Sequence, residues 1–258
     1  MSAPKDQHFL VDPRTVERIL SLLDVSDHTV LEIGPGTGIL TRGLLNHGAE
    51  VIAVELDHHL CTTLALRFGP EIDKGQLLLI ESDATCCDLP PFEYVVANLP
   101  YSISSKITFR LLDIGFTEAV LMYQKEFAER MVARPGTAAC GRLSIMAQTY
   151  ADVEACFDIS PRAFNPMPMV RSTVVRLIPH EPRFFITDRK FYSDVVRVLF
   201  SHRRKTVRNG LKSFGGSLDH RQLERILGAL SADILSSRPE ELQLEDFAVI
   251  ANAGTEQG

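Results

Sequence analysis

The sequence predicts an α/β fold in which helices cover both faces of a mainly parallel, doubly wound sheet, followed by a small all-helical C-terminal domain. The first observation is a series of short apolar runs typical of buried strands, at 29–33, 51–54, 77–80, 94–97 and 119–122. Helical patterns separate most of these runs, and such alternation indicates a parallel sheet. The second observation is that only helical patterns follow Pro179 and Pro182. We therefore expect two domains, 1–180 and 181–258.

Caps, prolines and periodicity predict the remaining elements. A helix is expected to begin after Asp12, which caps it, with Pro13 in its first turn. The segments 143–150 and 173–178 alternate or run apolar, so we expect an antiparallel hairpin that completes the sheet and carries the 164–168 loop. Helices of the C-terminal domain are expected at 190–200, 203–213, 221–230 and 239–251.

A glycine-rich segment follows the first apolar run. Gly34, Gly36 and Gly38 alternate after Glu32 and precede a helical pattern, which places unhindered backbone against a ligand at the carboxyl edge of the sheet. A dinucleotide fingerprint would need its third glycine at the position of Ile39. The spacing therefore favours a nucleoside-carrying ligand without a pyrophosphate, for which S-adenosylmethionine is the natural candidate.

Two acids follow the next strand-like runs. Glu55 ends the second run, where nucleotide sites of α/β proteins place a carboxylate against ribose hydroxyls. Asp83 follows the third run, where its carboxylate can accept a hydrogen bond from the adenine amine of the cofactor. Each acid alone is more typical of a helix cap or a turn. Their order at successive strand ends favours the cofactor site.

The segment 98–101, Asn-Leu-Pro-Tyr, comes directly after the fourth run. The Asn98 carbonyl and nearby backbone carbonyls can accept both N–H bonds of an exocyclic amine, while the Tyr101 ring covers the attached base. The alternative is that the segment only ends a strand, since Asn and Pro are common in turns. Beside the glycine-rich segment, methylation of adenine N6 is the better interpretation.

Further motifs extend over nearly the whole chain, and the complete series comprises 7–10, 32–38, 54–57, 98–101, 164–172, 202–209 and 238–242. In this order the series resembles the small-subunit ribosomal RNA adenine N6,N6-dimethyltransferases of the KsgA type. The resemblance implies a Rossmann-like methyltransferase sheet that uses S-adenosylmethionine. It also implies dimethylation of two adjacent adenines, in a loop near the 3′ end of small-subunit rRNA, during ribosome biogenesis.

The resemblance assigns roles to individual residues. The expected catalytic residues are Asn98, Leu99, Pro100, Tyr101 and Phe164, with the ring of Phe164 packing on the second face of the target adenine. The expected cofactor residues are Gln7, His8, Leu10, Gly34, Gly36, Glu55, Leu56, Asp83, Ala84 and Asn98.

The charge distribution bears on an RNA substrate. A net charge of −6 argues weakly against nucleic-acid binding, yet basic residues cluster between Arg183 and Lys212. On a predicted helix, three of these basic residues share one face. We expect these three, together with a fourth beside them, to contact phosphates. These four are Arg203, Arg204, Lys205 and Arg208. The alternative is a solvated helix face without a partner.

Composition excludes several classes of protein. Five cysteines without a C-x-x-C pair predict neither a disulfide framework nor a zinc site, and we expect no metal. No apolar run reaches the roughly 18 residues needed to span a membrane, and the polar start is unlike a signal peptide. The expected protein is a cytoplasmic monomer whose partners are small-subunit rRNA and the immature small ribosomal subunit.

Three alternatives remain at this point. An enzyme that methylates DNA adenine or a protein glutamine amide can use a similar Asn-x-Pro-aromatic segment. A ribosome-assembly factor with a vestigial cofactor site would share the motifs without the activity. An NAD-dependent enzyme ranks last, because of the glycine spacing.

Overall fold

The computed structural model describes residues 7–214 and 220–255, and the chain divides into two compact units. The first unit contains the chain up to Ala128 together with Asp152–Pro179, and the second contains Glu129–Ala151 together with the chain from His180 onward. The sequence placed 129–151 with the first domain. A single boundary in the sequence cannot assign 129–151 to the second unit, because this segment packs with helices that come much later in the chain.

The first unit is built on a sheet with strands β2 (Thr29–Ile33), β3 (Glu50–Glu55), β4 (Leu77–Glu81), β5 (Tyr94–Asn98), β6 (Glu118–Gln124), β7 (Ala151–Ile159) and β9 (Ser172–Pro179). Within the described residues their order is β4-β3-β2-β5-β6-β9-β7. The pairs from β4 to β6 are parallel, and β9 is antiparallel to β6. The predicted mainly parallel sheet is confirmed.

Helices of the first unit connect the strands. They are α1 (Pro13–Leu20), α2 (Ile39–Asn46), α3 (His58–Arg67), α4 (Gly69–Asp73), α5 (Ser104–Ile114) and α6 (Lys125–Met131), the last of which crosses into the second unit. Helix α1 begins as predicted, because the Asp12 carboxylate accepts hydrogen bonds from the backbone of Arg14 and Thr15 at 3.3 and 3.2 Å. Its residues Val16 and Ile19 are buried in the core.

A second, two-stranded sheet lies in the same unit. Strand β1 (Phe9–Leu10) pairs antiparallel with β8 (Phe164–Asn165), with Leu10 opposite Phe164. Both of these side chains belong to the hydrophobic core. Chain segments more than 150 positions apart are therefore fixed beside each other.

The predicted strand at 143–150 is wrong. These residues form helix α7 (Arg142–Tyr150). Strand β7 begins at the next residue and lies beside β9 in the sheet. Side chains 143–147 are all buried, so the helix has no polar face to give a period of 3.6. The loop that carries Phe164 does lie between β7 and β9.

The second unit is helical. Besides α7 it contains α8 (Arg189–Ser201), α9 (Val207–Leu211), α10 (His220–Ala229), α11 (Ala232–Ser236) and α12 (Leu244–Gly254). Tyr192 of α8 is buried and its hydroxyl lies 2.8 Å from the Thr149 hydroxyl of α7, which joins the segment 129–151 to this unit.

Two helices of this unit begin later than predicted. Helix α9 begins at Val207 and not at 203, because Lys205 N–H donates to the His202 carbonyl at 2.7 Å in a turn and Thr206 is extended. Pro239–Glu241 forms a separate 3-10 turn, and Gln243 is extended before α12. Across the described ranges, no helix is both long enough and apolar enough to cross a membrane.

Candidate active site

Two adjoining clefts lie at the carboxyl edge of the parallel strands. The larger has a volume of about 420 Å³, within the roughly 300–1,000 Å³ of small-molecule sites, and the smaller about 60 Å³. Four residues line both clefts: Gln7, Gly34, Glu55 and Pro100. The clefts meet where β2, β3 and β5 end, which is where ligands bind in open α/β sheets.

Most of the predicted site residues line these clefts. Leu56, Asp83 and Ala84 line the larger cleft. The smaller cleft takes His8, Gly36, Asn98, Leu99 and Tyr101. The structure thus brings together both predicted sets, with two exceptions.

Leu10 and Phe164 are the exceptions. They are 3% and 4% exposed, and both pack in the hydrophobic core. Leu10 lines a separate cavity of about 20 Å³ beside the glycine-rich loop. The Phe164 ring lies in the core, opposite Leu10 in the two-stranded sheet, and lines neither cleft. In this position the Phe164 ring does not reach the place where a target base was expected to stack on it.

The sequence missed other lining residues. Asp57 and Ser82 follow the ends of β3 and β4 and line the larger cleft, so the strand-end argument applied to Glu55 and Asp83 could have found them. Phe9 and Leu60 line the smaller cleft as well. Phe9 lies in the 7–10 motif but was assigned no role, and Leu60 gave no sequence signal, because apolar residues are common in any core.

Glu55 fixes the glycine-rich loop to the end of β3. Its Oε2 accepts from Gly36 N–H at 3.2 Å, and its Oε1 accepts from the N–H groups of Leu56 and Asp57 at 2.9 and 3.0 Å. Three donors compensate the burial of the carboxylate. Each oxygen has two lone pairs, so Oε2 can accept one further hydrogen bond, from a ligand hydroxyl.

Gly36 allows the loop and β1 to approach closely. Its φ of +58° is in the left-handed region, and a Cβ there would lie 2.6 Å from Cδ1 of Phe9. Any other residue would strain the backbone and displace the Phe9 ring. The glycine thus brings the 7–10 segment against the clefts.

The orientation of the Asn98 amide follows from its partner. Nδ2 donates to the backbone carbonyl of His8 at 2.8 Å. A carbonyl can only accept, so the nitrogen must face His8, and Oδ1 must point away from it. His8 is itself held, because its Nδ1 lies 2.8 Å from the Pro166 carbonyl and must donate to it. Asn98 therefore presents a hydrogen-bond acceptor at the end of β5.

Tyr101 is held in place at the smaller cleft. Its hydroxyl lies 3.1 Å from the Ser172 hydroxyl, and its ring centroid is 5.7 Å from that of His8. Ser172 is buried at the start of β9. Anchoring at the hydroxyl end sets the position of the ring, whose face can then receive a planar base.

Asp83 lies in the turn after β4. Its Oδ1 accepts from Thr85 N–H at 2.7 Å. Hydrogen bonds from Thr85 lower the pKa of the carboxyl, and the charges of Lys106 and Arg110 act in the same direction. Asp83 is therefore ionised at neutral pH and accepts hydrogen bonds only.

Glu32 is buried at the base of the glycine-rich loop. It is 1% exposed, and its Oε2 accepts from the Thr41 hydroxyl at 2.7 Å. Within the described chain its Oε1 has no hydrogen-bond partner. Burial, and after it the charge of Glu55, raises the pKa of Glu32 to about 8. This acid supports the loop and does not line either cleft.

The four basic residues predicted to contact RNA lie in the second unit, and all are exposed. Arg203, Arg204 and Lys205 occupy the turn between α8 and α9, so the predicted common helix face is wrong. Arg203 donates to the Ala138 carbonyl at 3.2 Å. Lys205 Nζ lies 3.0 Å from the Ser213 hydroxyl. Among the described residues, no group of three or more His, Cys, Asp or Glu side chains could hold a metal.

Comparison with known proteins identifies the family. The model of the family described as "Ribosomal RNA adenine dimethylase" matches residues 5–244. The chain belongs to the ribosomal RNA adenine dimethylase family. Membership confirms the family predicted from the motif series, and with it the predicted class of enzyme, an S-adenosylmethionine-dependent rRNA adenine dimethyltransferase.

Relatives of the dimethylase family match over nearly the full chain. A protein of Methanospirillum hungatei named "Probable ribosomal RNA small subunit methyltransferase A" is 60% identical over 252 residues, covering 98% of each chain. A protein of the same name from Halobacterium salinarum is 43% identical and covers 96% of this chain and 88% of its own. The crystal structure of a dimethyladenosine transferase from Plasmodium falciparum is 32% identical with a TM-score of 0.82, covering 94% of this chain and 96% of its own. The predicted fold class is confirmed.

Proposed function

We propose that this chain transfers methyl groups from S-adenosylmethionine to N6 of adenine in small-subunit rRNA during ribosome biogenesis. Two adjacent adenines in a loop near the 3′ end are the proposed targets. The observation that carries the proposal is Asn98, whose amide nitrogen is committed to the His8 carbonyl and whose oxygen remains an acceptor at the cleft. An acceptor suits an exocyclic amine, which donates two hydrogen bonds.

The residues of the larger cleft fit the cofactor. Glu55 would accept from a ribose hydroxyl, and the ionised Asp83 would accept from the adenine amine. Gly34 leaves room for close approach of the ligand, since it carries no Cβ. When bound, S-adenosylmethionine supplies a sulfonium methyl group that is already highly electrophilic.

The smaller cleft orients the substrate amine. Adenine N6 is a poor nucleophile because its lone pair is delocalised into the ring. Hydrogen bonds from N6–H to the Asn98 Oδ1 and the Leu99 carbonyl favour a pyramidal nitrogen with an available lone pair. Alignment of the reacting atoms can supply about 7–11 kcal/mol of the barrier reduction at best. The methylated amine is first a cation and is acidic enough to lose its proton to solvent, so the reaction depends on positioning more than on a strong base.

The substrate is expected to be single-stranded. A base must leave its stack to enter the cleft, at a cost of a few kcal/mol that is smallest in a loop. Stacking on Tyr101 returns about 1–3 kcal/mol. The Phe164 ring is buried and presents no second stacking face at the cleft.

The proposed partners are small-subunit rRNA and the immature small ribosomal subunit. The exposed cations Arg203, Arg204, Lys205 and Arg208 would contact phosphates and position the particle. We propose that the protein acts in the cytoplasm and, because one chain contains both proposed sites, that it is a monomer.

The test is incubation with labelled S-adenosylmethionine and small ribosomal subunits that lack adenine methylation. Digestion and nucleoside analysis should give N6-dimethyladenosine. The same assay with DNA and with a glutamine-containing protein substrate serves as the control. Label in DNA or protein but not in rRNA would contradict the proposal, and so would binding of the particle without methyl transfer.

A further inference from the structure

A turn beside the larger cleft is held by a helix that carries none of the residues assigned above. The turn, called here the Asp83 loop, comprises residues 83–87. Within it, the N–H groups of Cys86 and Cys87 both donate to the Asp83 carbonyl at 3.0 Å, and Thr85 N–H donates to the Asp83 side chain. These bonds define the shape of the turn, but they do not attach it to the rest of the unit.

Two cations of α5 make that attachment. The guanidinium of Arg110 donates through its two terminal nitrogens to the carbonyls of Ala84 and Cys87. One turn earlier on the helix, Lys106 Nζ donates to the Thr85 hydroxyl at 2.8 Å. A guanidinium presents its donors in a rigid plane, so a single side chain can bind two carbonyls of one turn.

Hydrogen bonds attach helix α5 to two neighbouring segments, the one that contains Pro100 and strand β6. At its start, the Ser104 hydroxyl donates to the Pro100 carbonyl at 3.3 Å, next to the residues proposed to hold the target adenine. In its middle, the Thr108 hydroxyl lies 2.7 Å from the buried hydroxyl of Tyr123 in β6. The helix is therefore a firm support that contacts the loops of both clefts.

We infer that Lys106 and Arg110 are positioning residues that set the place of the Asp83 carboxylate, and so the affinity for the adenine part of the cofactor. The inference rests on the proposed function, since it assumes that Asp83 meets that adenine. Neither cation lines either cleft, so neither lies at the proposed position of the substrate amine. Loss of either should therefore weaken cofactor binding and leave the rate at saturating cofactor largely unchanged.

The experiment compares Arg110→Ala, Arg110→Lys and Lys106→Met with the wild-type protein. Calorimetry with S-adenosylmethionine alone gives Kd, and rRNA methylation at varied cofactor gives KM and kcat. We expect Kd and KM to rise about tenfold for Arg110→Ala, with kcat changed less than about twofold. Arg110→Lys keeps the charge but cannot bind both carbonyls, so it should recover less than half of the loss on a logarithmic scale.

The control is Arg176→Ala, which removes a half-buried arginine that pairs with Glu118 in the same unit. It should lower Tm without changing Kd. An unchanged Kd in Arg110→Ala, a full recovery in Arg110→Lys, or a fall in kcat with constant KM would each overturn the inference. Because Kd is measured without RNA, these results are separate from a failure of the wild-type protein to methylate rRNA, which would overturn the proposed function alone.

Discussion

At the scale of single residues, the candidate site depends on hydrogen bonds whose direction is fixed by their partners. The His8 carbonyl and the Pro166 carbonyl can only accept, so they orient the Asn98 amide and the His8 ring. The result is a ready acceptor at the end of β5, formed before any substrate arrives. Such preorganisation reduces the reorganisation that accompanies the reaction.

We predict that Asn98→Ala lowers methyl transfer by about 10²–10³-fold while the fold and the binding of rRNA persist. Asn98→Asp should fail as well, although it retains an acceptor, because an ionised carboxylate cannot donate to the His8 carbonyl and is repelled by it. Quantifying N6-dimethyladenosine formation checks both variants, with circular dichroism as the folding control. A near wild-type rate in Asn98→Asp would show that the bond to His8 is dispensable.

The buried acid Glu32 predicts a dependence of stability on pH. Its pKa is about 8 in the folded protein and near the ordinary 4.5 in the unfolded chain, so the folded state binds the proton more tightly. This contribution to stability is complete below about pH 4.5 and is lost as the pH rises through about 8.

Glu32→Gln cannot ionise, yet its carbonyl can still accept from the Thr41 hydroxyl. We therefore expect the Tm of Glu32→Gln minus that of the wild-type protein to increase from pH 5 to about pH 8 and then to level off. Scanning calorimetry across this range measures the difference. A constant difference at all pH values would mean that Glu32 keeps its ordinary pKa in the folded protein.

At the scale of elements, the site is assembled where β1 and the glycine-rich loop meet. The backbone bond from Gly34 N–H to the Val54 carbonyl, 2.9 Å long, and the bond from Gly36 N–H to Glu55 attach the loop to β3. The absence of a side chain at Gly36 lets Phe9 pack directly against it. The glycine-rich loop, which follows β2, thus contacts both β3 and the β1 segment near the start of the chain.

We predict that Gly36→Ala destabilises the protein more than Gly75→Ala and also weakens S-adenosylmethionine binding. Both positions have positive φ, +58° and +73°, so both variants carry a backbone cost of about 1–2 kcal/mol. Only at position 36 would the new Cβ meet another side chain, since nothing lies within 4 Å of the Cβ position at 75. Urea unfolding and calorimetry with the cofactor measure the two effects. Equal losses for the two variants would exclude the clash with Phe9 as a cause.

At the scale of the whole molecule, net charge is a poor guide to the proposed partner. The chain carries −6 overall, while its exposed cations concentrate in the turn between α8 and α9 and at the start of α9. Local positive charge governs contact with phosphates, because salt screens charges farther apart than about 10 Å. The residues proposed for methyl transfer belong to the first unit, and the cations proposed to contact rRNA belong to the second.

We predict that replacing Arg204, Lys205 and Arg208 together by Gln weakens binding to the small ribosomal particle and flattens its salt dependence. Each lost phosphate contact should lower the slope of log affinity against log salt by about 0.7–0.9, whereas cofactor affinity should not change. Filter binding at several salt concentrations provides the measurement.

The matched control makes the same change of charge at Arg14, Arg18 and Lys74, which are exposed cations of the first unit. It should leave the slope unchanged, and circular dichroism should show retained helicity in both variants. If both triple variants alter the slope equally, overall charge and not this turn governs binding. If neither does, the RNA surface lies elsewhere.

The sequence by itself determined the mainly parallel sheet, the cofactor class and most of the candidate site. The reason is that Gly34, Glu55, Asp83 and Asn98 lie at or just after the ends of successive strands, and parallel strands present their carboxyl ends at one edge. Local order along the chain therefore predicts proximity in space. Asp57 and Ser82 also come just after strand ends, so their place at this edge is predictable from the sequence in the same way.

Only the tertiary structure decided the burial of Phe164, the helix at 142–150 and the contacts of Arg110. Leu10 pairs with Phe164 across more than 150 positions, and Arg110 binds carbonyls 23 and 26 positions away. Helix α7 is buried at 143–147, so packing and not periodicity fixed its form. The direction of a side chain at such distances depends on packing between elements, which has no periodic signal in the sequence.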